Sequence, residues 1–112
     1  MAKGRRACLV IDSRDFGALK GDLLKANYEF HTGPRLKRTS EIGAMRAFLG
    51  NDRQVHVQFV RRRDGDIGVY AHTEPETEDL IAHGWAAMTG NVSYQGGARV
   101  LKEDLREADW DV

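Results

Sequence analysis

The sequence predicts an α+β two-layer sandwich. A mostly antiparallel sheet of about four strands carries helices mainly on one face, in the order β-α-β-α-β-β-α-α. Three observations lead there. Residues 54–74, QVHVQFVRRRDGDIGVYAHTE, are two alternating runs around a turn, the pattern of a β-hairpin. Apolar residues recur at helical spacing before and after it. At 112 residues, residues 1–112 make one domain, long enough to bury a core without staples. No repeat and no low-complexity segment argues for a solenoid or a linker.

The hairpin admits two registers. A two-residue Asp64-Gly65 loop would place Val57 and Phe59 on one face with His72 and Tyr70. A three-residue Arg63-Asp64-Gly65 loop, with Gly65 in the left-handed position of a bulge, gives a different sorting. Val55, Val57 and Phe59 then share an apolar face with Ile67, Val69 and Ala71. His56, Gln58, Val60 and Arg62 share the other with Gly68, Tyr70 and His72. A slip of one residue turns a whole strand over, so a single buried face selects the second register. In it His56 opposes His72 with Cβ atoms roughly 5 Å apart. Glu74 lies on the same face as His72, and Pro75 after it ends the strand while keeping Glu74 extended.

In chain order, Ala7 to Ile11 is apolar on both alternating faces and reads as an interior strand. Ser13 is a candidate cap for a helix running to Asn27, with Phe16, Leu19, Leu23 and Ala26 as its buried stripe. Gly17 and Gly21, one turn apart, suggest a close backbone approach there. Residues 28–32 alternate and read as a second strand ending at Gly33-Pro34. Thr39 or Ser40 is expected to cap a short helix with Ile42, Met45 and Phe48 or Leu49 inside, ending near Gly50-Asn51. After the hairpin, Thr77 should start a helix carrying Leu80, Ile81, Gly84, Trp85, Ala87 and Met88, with His83 at its packed edge. A last helix from about Gln95 to Ala108 shows Val100, Leu101 and Leu105. Trp110 in the tail either docks or frays.

Composition narrows compartment and partners. Cys8 is the only cysteine, which excludes an intrachain disulfide; its apolar setting reads as a buried thiol in a reducing cytoplasm. No apolar run reaches membrane-spanning length, and the basic start has no signal-type core behind it. Net charge is zero but unevenly spread. Residues 1–63 hold 14 Lys and Arg against 6 Asp and Glu, and residues 64–112 hold 3 against 11. That polarity favours attraction between halves, within one chain or between copies, and so a homo-oligomer, over a dedicated nucleic-acid binder.

Three constellations could carry chemistry. The first is His56, His72 and Glu74, with Tyr70 and Gln58 beside them. Two imidazoles and a carboxylate are the ligand set of several hydrolytic zinc sites, and without metal they suit acid–base work. The spacing matches no strong zinc motif, so no residue is assigned to a metal and no cofactor follows from the sequence. His31 would join if its strand lay beside the hairpin. The second is a basic set, Arg35, Lys37, Arg38, Arg61, Arg62 and Arg63, near aromatic residues that could stack on bases. RNA-binding sheet motifs are absent. The third is an anion site at Gly96, Gly97 and Arg99, where a helix start offers amides. Adjacent His-Thr pairs at 31–32 and 72–73 point to opposite strand faces, unlike the His-x-Thr motifs of phosphoesterases.

The functional expectation is a small binding or assembly module that self-associates through an open sheet face. Next come a small hydrolase using His56, His72 and Glu74, and then weak nucleic-acid binding through the basic half.

Overall fold

The computed structural model describes residues 6–31, 41–76 and 92–112. Within them the order is β1 (Leu9–Ile11), a 3-10 turn (Ser13–Asp15), α1 (Phe16–Lys25), β2 (Glu29–Phe30), β3 (Glu41–Gly50), β4 (Arg53–Arg61), β5 (Ile67–Pro75) and α2 (Tyr94–Glu107). The five strands form one antiparallel sheet in the order β1-β5-β4-β3-β2. The helix expected from Thr77, with His83, and the basic residues Arg35, Lys37 and Arg38 lie outside the described residues. No described helix is long and apolar enough to cross a membrane.

The β4–β5 hairpin adopts the three-residue loop. Gly65 has φ +89°, the left-handed conformation that a glycine takes without a Cβ penalty. Arg62 N–H donates to Asp66 O at 2.8 Å, Gly65 N–H to Arg62 O at 3.1 Å, and Asp64 Oδ1 accepts from Asp66 N–H at 2.9 Å. The register follows: Val57 pairs with Ala71, Phe59 with Val69, and His56 with His72.

The apolar face is covered by both helices. Val55, Val57, Phe59, Ile67, Val69 and Ala71 form one core with Leu19 and Leu23 of α1 and Leu101 and Leu105 of α2. Each large aliphatic side chain so buried stabilises by about 1.5–3 kcal/mol. Phe16 meets Phe59 edge to face at 5.0 Å. Both helices end in the same motif. Asn27 and Asp109 take φ +69°, and the following amides of Tyr28 and Trp110 return to Leu23 O and Leu105 O. Those two aromatic residues then tie the helices together. Tyr28 Oη donates to Asp104 Oδ2 at 2.6 Å and Trp110 Nε1 to Asp22 Oδ2 at 2.7 Å. The tail therefore docks on its own chain.

Five expectations change. Residues 41–50 are a strand, not a helix. Ile42, Phe48 and Leu49, read as a helical stripe, are exposed, while Met45 and Ala47 face the core opposite Val57 and Val55. The need of β4 for a hydrogen-bonding neighbour overrides the local helical period. Next, among the described residues β1 is an edge strand, with Val10 exposed, because it pairs there with β5 alone. Cys8 beside it is half-buried rather than sealed. The turn before α1 is capped by Asp12, whose carboxylate accepts from Arg14 N–H at 2.8 Å. Finally, Gly17 and Gly21 have nothing within 4 Å of an added Cβ among the described residues, so no close packing there accounts for them.

A close approach does occur at α2. β1 covers only Ile67–Val69 of β5, and further along Ser93 bridges Thr73 through reciprocal backbone bonds of 2.9 and 3.0 Å. Ser93 also caps α2, its Oγ accepting from Gly96 N–H at 2.9 Å. The first turn then lies directly on the β5 backbone. A Cβ on Gly97 would stand 2.3 Å from His72 Cα.

These glycines predict opposite outcomes in urea titrations monitored by circular dichroism. Gly97→Ala should destabilise by about 3 kcal/mol, the upper part of the usual overpacking range, because helix and strand must separate. Gly17→Ala should stabilise by up to about 1 kcal/mol through helix propensity alone.

Candidate functional site

The face of the sheet opposite the core helices is polar, buried along β4 and at His72 and Glu74 of β5, and exposed at Glu29 and Phe48. Three cross-strand rows build it. Glu29, Arg46, His56 and His72 run across β2 to β5 in one row, with Phe48, Gln54 and Glu74 on one side of it. On the hairpin side of that row lie Ala44, Gln58 and Tyr70, and His31 reaches Ala44 through a backbone bond of 3.1 Å. His56 and His72 are 4 % and 8 % exposed, Glu74 5 % and Gln54 0 %. The expectation that this side is open therefore fails at its central residues, since β4 is buried on both faces from Gln54 to Val60.

Four side chains converge at the centre. His72 Nε2 meets Glu74 Oε1 at 2.6 Å, and Gln54 Nε2 donates to Glu74 Oε2 at 2.7 Å. His56 Nδ1 stands 3.8 Å from Glu74 Oε2. The rings of His56 and His72 are nearly perpendicular, 5.1 Å apart. Residues two apart on a strand share a face, which places Glu74 beside His72; cross-strand pairing places His56 opposite it. One ligand atom from each of His56, His72 and Glu74 lies within 4.8 Å of the others.

The carboxylate governs the electrostatics. Burial alone would push the Glu74 carboxyl up. Hydrogen bonds from His72 and Gln54, with the charge that His72 and then His56 carry when protonated, overcome that and hold it at about 2. Glu74 is thus ionised throughout the neutral range. Hydrogen bonds to a charged group contribute about 1.5–3 kcal/mol each, which offsets the cost of burying it.

Other expected residues fall differently. Gln58 and Tyr70 oppose each other as expected, but Gln58 Nε2 donates to Glu41 Oε1 at 2.9 Å and Tyr70 is half-buried one row nearer the hairpin tip. Arg61, Arg62 and Arg63 are exposed at that tip, where Arg61 Nη1 donates to Gly65 O at 3.3 Å. The amides an anion at Gly96, Gly97 and Arg99 would use are engaged: Gly96 N–H by Ser93 Oγ, and Gly97 N–H by Ser93 O at 3.2 Å. The two glycines serve helix–strand contact there.

Several neighbours were not legible. His31 lies one strand removed from the hairpin, yet its ring is 4.8 Å from that of His56. His31 stands opposite Ala44 on β3, whose β4 partner is Gln58, so its ring approaches His56 diagonally across the sheet. Arg46 Nε donates to Glu29 Oε1 at 2.9 Å in the row of the histidines. Tyr94, at the start of α2, stands edge-on to His72 at 5.9 Å. Gln54 is the one whose signal was available: two residues before His56, it must share that face. Comparison with protein-family models, curated proteins and solved structures finds no match.

The depressed carboxyl carries a stability signature. In the metal-free protein the unfolded chain binds the Glu74 proton near its ordinary value of 4.5, and the folded chain only near 2. The unfolded state thus holds more protons between those values, and stability falls as pH is lowered through that window. Urea titrations across it should show a shallower dependence for Glu74→Gln than for the wild type. Parallel curves would refute the assignment.

Proposed function

We propose that this chain is a binding module whose ligand site is the buried His56–His72–Glu74 face of its sheet. The observation that supports the reading most is that two directly paired imidazoles share one ionised carboxylate inside a small domain. Buried ion pairs commonly add little stability relative to apolar residues of the same volume. A polar face retained at that cost is accounted for by what it binds. Enclosure limits the ligand to an ion or a small polar molecule.

These side chains are covered within one chain, which favours a small ligand over a second copy as their partner. Hydrolysis is a second reading that one contact favours. Glu74 engages His72 at Nε2, while Nδ1 of the same ring has no hydrogen-bond partner among the described residues. A carboxylate-oriented imidazole with its second nitrogen available is the arrangement of a general base, with His56 as the second acid–base group.

Mass spectrometry of the purified chain under native and denaturing conditions tests the binding reading. The native mass should exceed the denatured mass by one small ligand, and the excess should vanish in His56→Ala and His72→Ala. Equal masses in the wild type would overturn it, and a dimer that dissociates in those variants would restore self-association through this face. For hydrolysis, turnover of an activated ester should fall at least about 100-fold in His72→Ala, the lower end of general acid–base contributions. No turnover in the wild type across pH 5–9 ends that reading.

A further inference from the structure

We propose that His56, His72 and Glu74 bind one first-row divalent transition-metal ion of the zinc class, with Gln54 as the positioning residue of the carboxylate. The inference rests on the binding reading above and names its ligand. Donor chemistry makes the first argument. Two imidazole nitrogens with one carboxylate oxygen suit zinc and its neighbours, whereas calcium and magnesium take all-oxygen sites. Among the described residues no other group of histidine, cysteine and carboxylate side chains converges in this way.

Geometry makes the second. Metal–ligand bonds of about 2.0–2.2 Å in a tetrahedron separate ligand atoms by about 3.4 Å. Here His72 Nε2 and Glu74 Oε1 are 2.6 Å apart and His56 Nδ1 and Glu74 Oε2 3.8 Å, with all three ligand atoms inside 4.8 Å. Small side-chain rotations reach the required spacing, with no change of register. The metal enters where His72 and Glu74 now share a hydrogen, and that proton leaves to solvent. Three protein ligands leave a coordination position for water or a small anion.

Support around the ligands makes the third. Metal-bound carboxylates are themselves hydrogen-bonded, and those outer partners set affinity. Gln54, fully buried, donates to Glu74 Oε2 and leaves Oε1 facing His72. The ligands stand on adjacent strands of one hairpin, which fixes their spacing before any ion arrives. His31 packs against the far side of His56 and is not one of the converging three.

The full chain, stripped with chelator, is titrated with Zn²⁺ by calorimetry, and the zinc-loaded protein is measured by X-ray absorption at the zinc edge. One Zn²⁺ per chain is expected, with scattering from two imidazoles. Affinity should fall at least about 100-fold in His56→Gln, His72→Gln and Glu74→Gln, and about 10–100-fold in Gln54→Ala. Zn²⁺ should raise the melting temperature of the wild type and leave the three ligand variants unmoved. Circular dichroism identifies any variant that fails to fold, and the imidazole count in the wild type stands without the variants. No stoichiometric uptake, no imidazole scattering, or equal affinity in all three variants overturns the proposal; the last would place the ion elsewhere, as at the Asp22, Asp104 and Glu107 carboxylates. An organic ligand lost in the histidine variants, without zinc uptake, overturns the metal and leaves the binding module. Neither ligand nor metal overturns both.

Discussion

The left-handed turn at Gly65 is the constraint on which the rest depends. It sets the pairing of β4 with β5, and that pairing decides which side chains enter the core and which meet on the far face. Shifting it by one residue would turn one strand over against the other, so that Val57 and Phe59 shared a face with His72 and Tyr70 while His56 joined Val69 and Ala71. Core and site are therefore two sides of one choice. The apolar face makes that choice energetically firm, since several large side chains would have to leave the core together. The polar face inherits its geometry from a selection made on the other side of the sheet.

α2 adds a second lock. Gly97 lets the helix rest on the His72 backbone, and Ser93 extends the β5 edge just before the helix begins. Tyr94 then stands on the polar side while Leu101 and Leu105 pack into the core. One helix thus touches both faces around the edge of β5. His72 is held by its cross-strand partner, by the helix above its backbone and by Glu74 at its ring. A side chain with that much support has its orientation fixed before any ligand arrives.

Much of this was legible because the hairpin sorts its own residues. Alternation in 55–59 and 67–71 is strong, and only one register makes a uniformly apolar face, so the opposition of His56 and His72 followed from sequence. The 41–50 segment was not legible in the same way. Ile42, Met45, Phe48 and Leu49 imitate a helical stripe, while the strand alternation is carried by Ala44, Met45, Arg46 and Ala47, where two alanines blur the contrast. Misreading it hid Arg46, Glu41 and the route by which His31 arrives. Burial of the polar face was illegible for a more general reason. Alternation distinguishes one side of a strand from the other, and it holds no information about whether the polar side is also covered.

That cover changes what the polar residues mean. On an open face, two histidines and a glutamate would be solvated, weakly interacting and individually dispensable. Enclosed, each one costs free energy to desolvate, and removing a single partner strands the others. Pairing offsets part of that cost: Gln54 and His72 each hold one oxygen of Glu74 and Gln58 holds Glu41, while Gln54 Oε1 and His72 Nδ1 have no hydrogen-bond partner among the described residues. A valine or leucine at these positions would fold with less risk, because β4 is buried on both faces. What apolar residues cannot provide is a fixed carboxylate with two nitrogen donors beside it. The arrangement fits a domain in which one sheet face supplies stability and the other is reserved for chemistry.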